Sequence, residues 1–398
     1  MNIVAFIDIS GGSGGGLQQT LGVVNILNKF KSKNFNIEFC CSTKNAINYL
    51  NSLGIQSKYF NKSNFINKLT LKLFKIKFIK RIFEKFKIIN PFERFLKKNN
   101  YDLVFFVDQS NLSLHCDYTN FVFNIWNLDH RKHNFFPEYK YSSSAQSEKL
   151  YTHASNRAFR ILTDCKKTKG EFSHFYKCPP KRIYTLPLIP NLIFKKVDEN
   201  FKITNDKLLN IDIGKTLFFP AQFWAHKNHK YILDGLNFLQ KKGIKKFNCI
   251  FTGRDRGNLN FIKKKILEYN LNENIHIFEY LKDEEIIYLY KNCFSVILPT
   301  YVGNSSLPLF EAFYFNCKII YHAEILDDEF KDKVIQVNVK DPSDLGRIIN
   351  RIEQDQEYFT KLVKKSKIYI DEKLNEIKLL EIFENIFSDY YNYHSRYK

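Results

Sequence analysis

Short apolar runs alternate with longer segments of helical period through both halves of the chain. In the first half the runs are Ile3–Ile9, Phe35–Cys40, Leu103–Val107, Phe121–Ile125 and Phe159–Leu162. In the second half they are Thr216–Pro220, Asn248–Thr252, Asn274–Ile277, Ser295–Leu298 and Lys318–Tyr321. Strands that alternate with helices form parallel sheets, so this rhythm predicts an α/β protein with one parallel sheet in each half.

The length of the chain, 398 residues, suits two domains of ~200 residues each. The stretch 186–191 contains Pro187 and Pro190, which exclude a helix and stiffen a crossing between domains. We therefore predict a first domain over 1–190 and a second over 191–375. Residues 376–398 are predicted to form a final helix.

The chain is strongly basic, with 61 Lys and Arg against 41 Asp and Glu and a net charge of +20. Such a balance indicates an anionic partner, which could be nucleic acid, an acidic lipid surface or a phosphorylated substrate. The alternative is that part of the excess of basic residues reflects codon composition, because the chain is rich in Lys, Asn, Ile and Phe, as from an A/T-rich genome.

The cysteines and the N-terminus point to a cytoplasmic protein. Eight cysteines are scattered without a C-x-x-C pair, which is neither a disulfide framework nor a zinc site. Asp8 lies inside the first apolar run and no basic leader precedes it, so we expect a first strand rather than a signal peptide. No apolar run reaches the ~18 residues that a membrane-spanning helix needs.

A glycine-rich turn follows the first predicted strand. Ser10–Gly16 holds five glycines, which would let backbone amides approach a ligand while the next helix offers its positive N-terminus to an anion. Gly14, Gly15 and Gly16 are therefore candidate donor-binding residues. The pattern is not a clean G-x-G-x-x-G and lacks the Lys of a P-loop, and a flexible turn without a ligand is the alternative.

A polar loop follows the strand Phe121–Ile125, at the edge where doubly wound sheets bind ligands. It contains Asp129, His130, Arg131 and His133, which can hydrogen-bond sugar hydroxyls or hold phosphate. We predict Asp129, Arg131 and His133 as acceptor-binding residues and His130 as a catalytic residue. A solvated polar loop is the alternative, and the spacing offers no further metal ligands.

The second half carries the most informative loops. Lys227 stands at the start of a predicted helix, where a cation is unfavourable unless an anion lies nearby. Arg254 follows the strand Asn248–Thr252 and is a candidate phosphate ligand.

After the strand Ser295–Leu298, a loop leads to a helix with Pro308 in its first turn. Its candidate donor-binding residues are Gly303, Asn304, Ser305, Ser306 and, one turn into the helix, Glu311. A carboxylate that merely complements the helix dipole is the alternative for Glu311.

These stretches resemble the family 4 retaining glycosyltransferases. The resemblance rests on 223–229 (FWAHKNH), 303–312 (GNSSLPLFEA) and 128–131 (LDHR), and covers nearly the whole chain. It implies a GT-B fold, with two Rossmann-like domains facing a central cleft and the C-terminal helix packing back on the first domain. It also implies that Lys227 holds the donor phosphates and that Glu311 holds the ribose. Gly303 replaces the first of the family's two glutamates, and Gln222 replaces a common arginine.

The resemblance predicts an enzyme that moves a sugar from a nucleotide-diphosphate donor to a glycan or lipid-linked acceptor, with retention at the anomeric carbon. Catalysis would rest on stabilising the leaving diphosphate through Lys227, Arg254 and loop amides. No cofactor and no metal ion are expected. The alternatives are another GT-B enzyme, such as a sugar-nucleotide epimerase, and a basic nucleic-acid-binding protein, although no nucleic-acid motif occurs.

The segment 68–98 mixes basic and aromatic residues at helical spacing. Eleven Lys and Arg residues face only Glu84 and Glu93, with Phe74, Phe78 and Phe86 among the interleaved apolar residues. This mixture suits a helix at the surface of an anionic membrane. A packed helix with a basic solvent face is the alternative.

Overall fold

The computed structural model describes residues 1–9, 14–195, 201–244 and 246–396, and only the backbone at 77, 84 and 141. The chain forms two compact units. The first consists of Met1–Leu128, Ser142–Pro187 and Glu376–Lys398, and the second of Asp129–Tyr141 and Leu188–Asn375. The segment 129–141, which we assigned to the first domain, therefore groups with the second unit.

The first unit is built on a seven-stranded parallel sheet in the order β3-β2-β1-β4-β5-β6-β7. Its strands are β1 (Asn2–Ile7), β2 (Asn36–Cys41), β3 (Ser57–Tyr59), β4 (Leu103–Phe106), β5 (Asn120–Ile125), β6 (Arg160–Thr163) and β7 (Ile183–Thr185). Its helices are α1 (Gly15–Leu27), α2 (Lys44–Ser52), α3 (Phe65–Leu73), α4 (Lys77–Lys85), α5 (Pro91–Lys98), α7 (Tyr141–Arg157), α8 (Lys166–Tyr176) and α16 (Glu376–His394).

The second unit is built on a six-stranded parallel sheet in the order β10-β9-β8-β11-β12-β13. Its strands are β8 (Thr216–Pro220), β9 (Asn248–Thr252), β10 (Ile275–Phe278), β11 (Ser295–Leu298), β12 (Ile319–His322) and β13 (Ile335–Val337). Its helices are α6 (Asp129–Lys132), α9 (Asp206–Leu209), α10 (His229–Lys241), α11 (Leu259–Glu268), α12 (Asp283–Asn292), α13 (Leu307–Tyr314), α14 (Pro342–Gln354) and α15 (Gln356–Lys373).

Two parallel sheets confirm the predicted α/β class, and every predicted apolar run overlaps a strand. The strands that the apolar runs did not indicate are β3, β7 and β13. Each has three residues and lies at an edge of its sheet. An edge strand is covered on fewer sides than a central one, so a short one needs no continuous apolar run.

The C-terminal helix α16 packs on the first sheet, as expected. The ring of Phe105 in β4 meets Phe383 and Phe387 of α16 edge to face, with centroids 5.6 and 6.2 Å apart. Arg160 pairs with Asp389 at 2.9 Å, and the Tyr390 hydroxyl donates to the backbone oxygen of Asp102 at 2.9 Å. The buried aromatic rings and these polar contacts together stabilise α16 on the sheet.

In the second unit, helices α10 and α14 pack closely through a glycine. A Cβ added at Gly235 would lie 2.5 Å from Leu345 Cδ2, so a larger residue would force the helices apart. Helix α10 begins two residues after Lys227. Of the helices described, none combines the length and the apolar composition needed to cross a bilayer.

Candidate functional site

The loops that follow β8 and β9 are joined by their backbones. The Phe223 N–H donates to the Arg254 carbonyl at 3.0 Å, and Phe223 and Asp255 form a parallel bridge. A Cβ at Gly253, whose φ is +157°, would lie 2.6 Å from the carbonyl oxygen of Ala221. Gly253 therefore permits the close approach that fixes one loop on the other.

His226 joins the loop after β8 to the loop after β11. Its carbonyl accepts hydrogen bonds from the Tyr301 N–H at 2.9 Å and from the Thr300 hydroxyl at 3.2 Å. The Asn228 amide adds a bond of 3.1 Å to the Pro299 carbonyl. Because carboxyl ends of parallel strands are where such sheets bind ligands, these bonds set the geometry of the candidate site.

Lys227 follows His226 and precedes α10. Burial lowers the pKa of its ammonium group, and the nearby carboxylates of Asp129 and Glu138 oppose that shift. The side chain forms no ion pair with any described residue. A partly buried cation that is not neutralised by direct contact is a suitable ligand for a phosphate group.

The loop after β11 turns at Gly303, whose φ is +102°. A Cβ there would lie 3.2 Å from the Ser305 carbonyl, and the Tyr321 hydroxyl donates to the Gly303 carbonyl at 3.2 Å. Asn304 and Ser305 are buried. Ser306 caps α13, since its hydroxyl accepts from the Leu309 N–H at 3.3 Å. The loop thus forms an ordered turn that leads into a helix N-terminus, an arrangement that can hold anions.

Glu311 is buried on the second turn of α13 and bonded to a residue that the motifs did not indicate. The Tyr290 hydroxyl of α12 donates to its Oε2 at 2.6 Å. Burial raises the pKa of Glu311 to about 7; the bond from Tyr290 opposes this shift, and the negative charge of Asp283 adds to it. A carboxylate that merely complemented the helix dipole would lie in solvent, so this burial favours a binding role.

The segment 129–141 lies beside these loops within the second unit. Asp129 and His130 are buried, and the Lys132 ammonium donates to Asn304 Oδ1 at 3.3 Å. Arg131 is exposed and His133 is half-buried. The predicted residues Asp129, His130, Arg131 and His133 were assigned to the first domain, because they follow β5 in the chain. The structure instead groups them with the unit that carries Lys227 and Glu311.

The two arginines after β9 differ in their surroundings. The Arg256 Nε donates to Gln222 Oε1 at 3.0 Å, and its guanidinium lies over the Trp224 ring at 5.6 Å. Arg254 is exposed, and its side chain makes no hydrogen bond to the described residues. Gln222, which stands where the family has an arginine, thus holds a guanidinium from the neighbouring loop.

In the first unit, the glycine-rich turn is described from Gly14 onward, and Ser10–Ser13 lie outside the described residues. Gly14 precedes α1 with a φ of +109°, and α1 begins at Gly15. A Cβ on Gly16 would lie 3.2 Å from the Trp126 ring, so packing accounts for at least this glycine. Donor contacts of Gly14, Gly15 and Gly16 stay predictions.

A carboxylate pair that sequence reasoning missed lies near this turn. The Asp8 N–H donates to Asp108 Oδ2 at 2.7 Å, and the Ser110 hydroxyl donates to Asp8 at 2.6 Å. Burial, with the neighbouring charge of Asp8, raises the pKa of Asp108 to about 7. Lys62 forms an ion pair with Asp8. The two aspartates are 100 residues apart, which is why no local motif indicated them.

The sequence of the second unit is similar to a known protein family. Residues 201–369 match the family described as glycosyl transferases group 1. This part of the chain is therefore similar to the group 1 glycosyl transferases. The loops that carry Lys227, Arg254 and Glu311 all lie inside these matched residues. No curated protein matches the sequence.

Solved structures resemble the chain over nearly its whole length. HepE from Anabaena, in complex with UDP, superposes with a TM-score of 0.72 at 12% identity, over 98% of this chain and 100% of that one. Sucrose-phosphate synthase from Thermosynechococcus elongatus gives 0.69 at 12% identity, over 98% and 100%. A glycosyltransferase from Rickettsia africae ESF-5 gives 0.66 at 15% identity, over 98% and 98%. At these identities the likeness establishes the fold, which is the GT-B fold with two Rossmann-like domains.

Proposed function

We propose that this protein is a retaining glycosyltransferase that uses a UDP-sugar and transfers the sugar to a glycan or lipid-linked acceptor. The observation that carries the proposal is Lys227, a partly buried cation without an ion-pair partner among the described residues. It lies at the end of the loop after β8, which His226 bonds to the loop before α13. HepE, which shares the fold, has been solved with UDP and with UDP-glucose. These complexes favour UDP as the donor nucleotide.

The residues suggest how the donor would be held. Lys227 and Arg254 would contact the diphosphate, together with the amides of Asn304, Ser305 and Ser306 at the start of α13. Glu311 would accept hydrogen bonds from the ribose hydroxyls. His130 would contact the donor sugar or the acceptor, and Asp129, Arg131 and His133 would contribute to acceptor binding. Stabilisation of the leaving diphosphate would then supply the main catalytic effect.

Calorimetric titration of the purified protein with UDP, GDP and uridine tests the donor assignment. We expect UDP to bind more tightly than GDP, and far more tightly than uridine, which lacks the diphosphate. A transfer assay with UDP-sugars follows, and the anomeric coupling constant of the product reports retention. Absence of binding by any nucleoside diphosphate would overturn the proposal, and an inverted product would overturn the retaining mechanism.

We also propose that transfer needs no divalent metal, because lysine, arginine and backbone amides would carry the diphosphate charge. Across the described residues, no group of three or more His, Cys, Asp or Glu side chains is arranged to hold a metal ion. Activity should therefore persist in EDTA. Loss of transfer in EDTA that Mn²⁺ or Mg²⁺ restores would contradict this proposal.

A second proposal concerns the segment 68–98, which we suggest docks on an anionic membrane. The structure divides this region among α3, α4 and α5. It leaves large apolar side chains exposed, among them Ile76 at 50%, Phe78 at 73% and Phe86 at 68%. Burial, then the neighbouring cations of Lys149 and Lys72, lowers the pKa of Lys75, so positive charge is crowded here. Exposed aromatics among crowded cations suit a surface that is both apolar and anionic.

Sedimentation with lipid vesicles tests this surface. Wild-type protein should bind vesicles of phosphatidylglycerol and phosphatidylcholine, lose that binding at high salt, and bind pure phosphatidylcholine weakly. Phe78→Ser with Phe86→Ser should reduce binding at least about fivefold, whereas Phe261→Ser, at an exposed phenylalanine of α11, should not. Equal binding to both kinds of vesicle, or to neither, would contradict the proposal.

A further inference from the structure

The segment 129–141 contacts both loops of the candidate donor site. At one end Lys132 donates to Asn304, and at the other Glu138 Oε1 accepts hydrogen bonds from the His226 backbone N–H at 3.0 Å and from its Nδ1 at 2.9 Å. Resting on the proposed function, we propose that Glu138 is a positioning residue that acts through His226 to place Lys227 for the donor diphosphate.

The backbone N–H, the backbone carbonyl and the ring Nδ1 of His226 all form hydrogen bonds. Its carbonyl is held by Thr300 and Tyr301 of the neighbouring loop. Among the hydrogen bonds described, its backbone N–H and its ring Nδ1 donate to Glu138 alone. Loss of the Glu138 carboxylate would therefore release the N–H and the ring of His226, while its carbonyl stays bound. His226 immediately precedes Lys227.

The ring of His226 is fixed by packing as well. Trp224 and Tyr139 stack near it, with centroids 6.3 and 6.1 Å away and interplanar angles of 20° and 25°. Phe136 meets it at 71°. In this packed position the ring directs Nδ1 at Glu138 Oε1, 2.9 Å away.

The charge states agree with this geometry. Burial, then the neighbouring Lys227 cation, lowers the pKa of His226 to about 4, so the ring is neutral at pH 7. Burial raises the pKa of Glu138, but the hydrogen bond from the His226 N–H and further bonds outweigh it and hold that pKa below its usual value. An ionised carboxylate only accepts, so the ring proton lies on Nδ1. The negative charge of Glu138 also favours the protonated form of Lys227.

Calorimetry with UDP and with uridine separates positioning from general stability. Glu138→Ala should weaken UDP binding about tenfold and leave uridine binding unchanged, since uridine has no diphosphate for Lys227 to contact. Glu138→Gln keeps an oxygen that can accept both bonds, and should stay within about threefold of wild type. The matched control is Glu285→Ala, because Glu285 is a buried carboxylate of the same unit that accepts the Lys282 N–H at 2.8 Å.

A double-mutant cycle identifies the route of the effect. If Glu138 acts through Lys227, Glu138→Ala should cost no further UDP affinity when Lys227 is already alanine. Equal loss of UDP and uridine affinity in Glu138→Ala, additive losses in the cycle, or a Glu138→Gln variant as weak as Glu138→Ala would each overturn the inference. Failure of the wild-type protein to bind UDP would instead overturn the proposed function.

Discussion

The hydroxyl of Tyr290 donates a 2.6 Å hydrogen bond to Oε2 of Glu311, and both side chains are buried. Oε1 of Glu311 accepts no hydrogen bond from the described residues. Tyr290 therefore fixes the carboxylate by one oxygen and leaves the other for a ligand. The fully buried ring of Tyr290 also packs edge to face on Phe218, with centroids 5.2 Å apart, which keeps its hydroxyl in place.

Glu311→Gln should make the protein more stable above neutral pH. Because burial raises the folded-state pKa of Glu311 from 4.5 to about 7, its protonated form favours folding at low pH. That contribution is lost as pH rises from 4.5 to 7, and glutamine does not titrate. The variant should match wild type near the lower end of this window and exceed it at pH 8 by on the order of 1–3 kcal/mol. Urea unfolding measured at both pH values checks this, and an equal difference at both would contradict it.

Lys227→Ala should weaken UDP binding and slow transfer at least ~10-fold, because a charge-assisted contact is worth ~1.5–3 kcal/mol. Folding should be unaffected, since Lys227 forms no ion pair with the described residues. The matched control is Lys230→Ala, which removes a lysine of α10 that pairs with Asp234 at 2.6 Å. Calorimetry and initial rates measure both variants. Near-normal UDP affinity and transfer rate in Lys227→Ala would show that Lys227 does not contact the donor phosphates.

Glu311→Ala should likewise cut transfer at least ~10-fold, from lost hydrogen bonds to the ribose. Uridine affinity should fall with UDP affinity, because the ribose is common to both ligands. This pattern differs from that expected for Lys227→Ala, which should affect UDP alone. Uridine binding that is unchanged in Glu311→Ala would place the ribose elsewhere.

Gly303→Glu should not improve transfer, although a glutamate is usual at this position in the resembling family. The φ of +102° disfavours any side chain, and a Cβ would approach the Ser305 carbonyl to 3.2 Å. The new charge would also lie beside the proposed diphosphate. Gly303→Ala separates strain from charge, and we expect it to lose less activity than Gly303→Glu. Steady-state rates that equal or exceed those of wild type in Gly303→Glu would show that the position belongs to the sugar pocket.

Arg254→Ala should reduce UDP affinity several-fold, whereas Arg256→Ala should have the smaller effect. The Arg254 side chain is exposed and makes no hydrogen bond to the described residues, so it is available to a ligand. The Arg256 guanidinium is already held by Gln222 and Trp224. Calorimetric titration with UDP compares the two variants directly. A larger loss of UDP affinity in Arg256→Ala than in Arg254→Ala would indicate that Arg256 contacts the phosphate instead.

Local patterns in the sequence determined the two parallel sheets and the positions of the loops that follow their central strands. A buried strand requires an apolar run, and a helix start requires a capping or turn residue, so both leave a mark within a few neighbouring residues. The runs Thr216–Pro220 and Ser295–Leu298 coincide with β8 and β11 residue for residue. Lys227 and Glu311 were selected from those loops by the same local reasoning and by the family resemblance.

Only the tertiary structure decided which side chains support that site. Glu138 is 88 residues from His226, and Tyr290 is 21 residues from Glu311, so neither pair forms a motif within one element. The segment 129–141 was assigned by chain order to the first domain, but its hydrogen bonds to His226 and Asn304 group it with the second unit. Hydrogen bonds and ring packing depend on distance in space, which the order of residues along the chain does not specify.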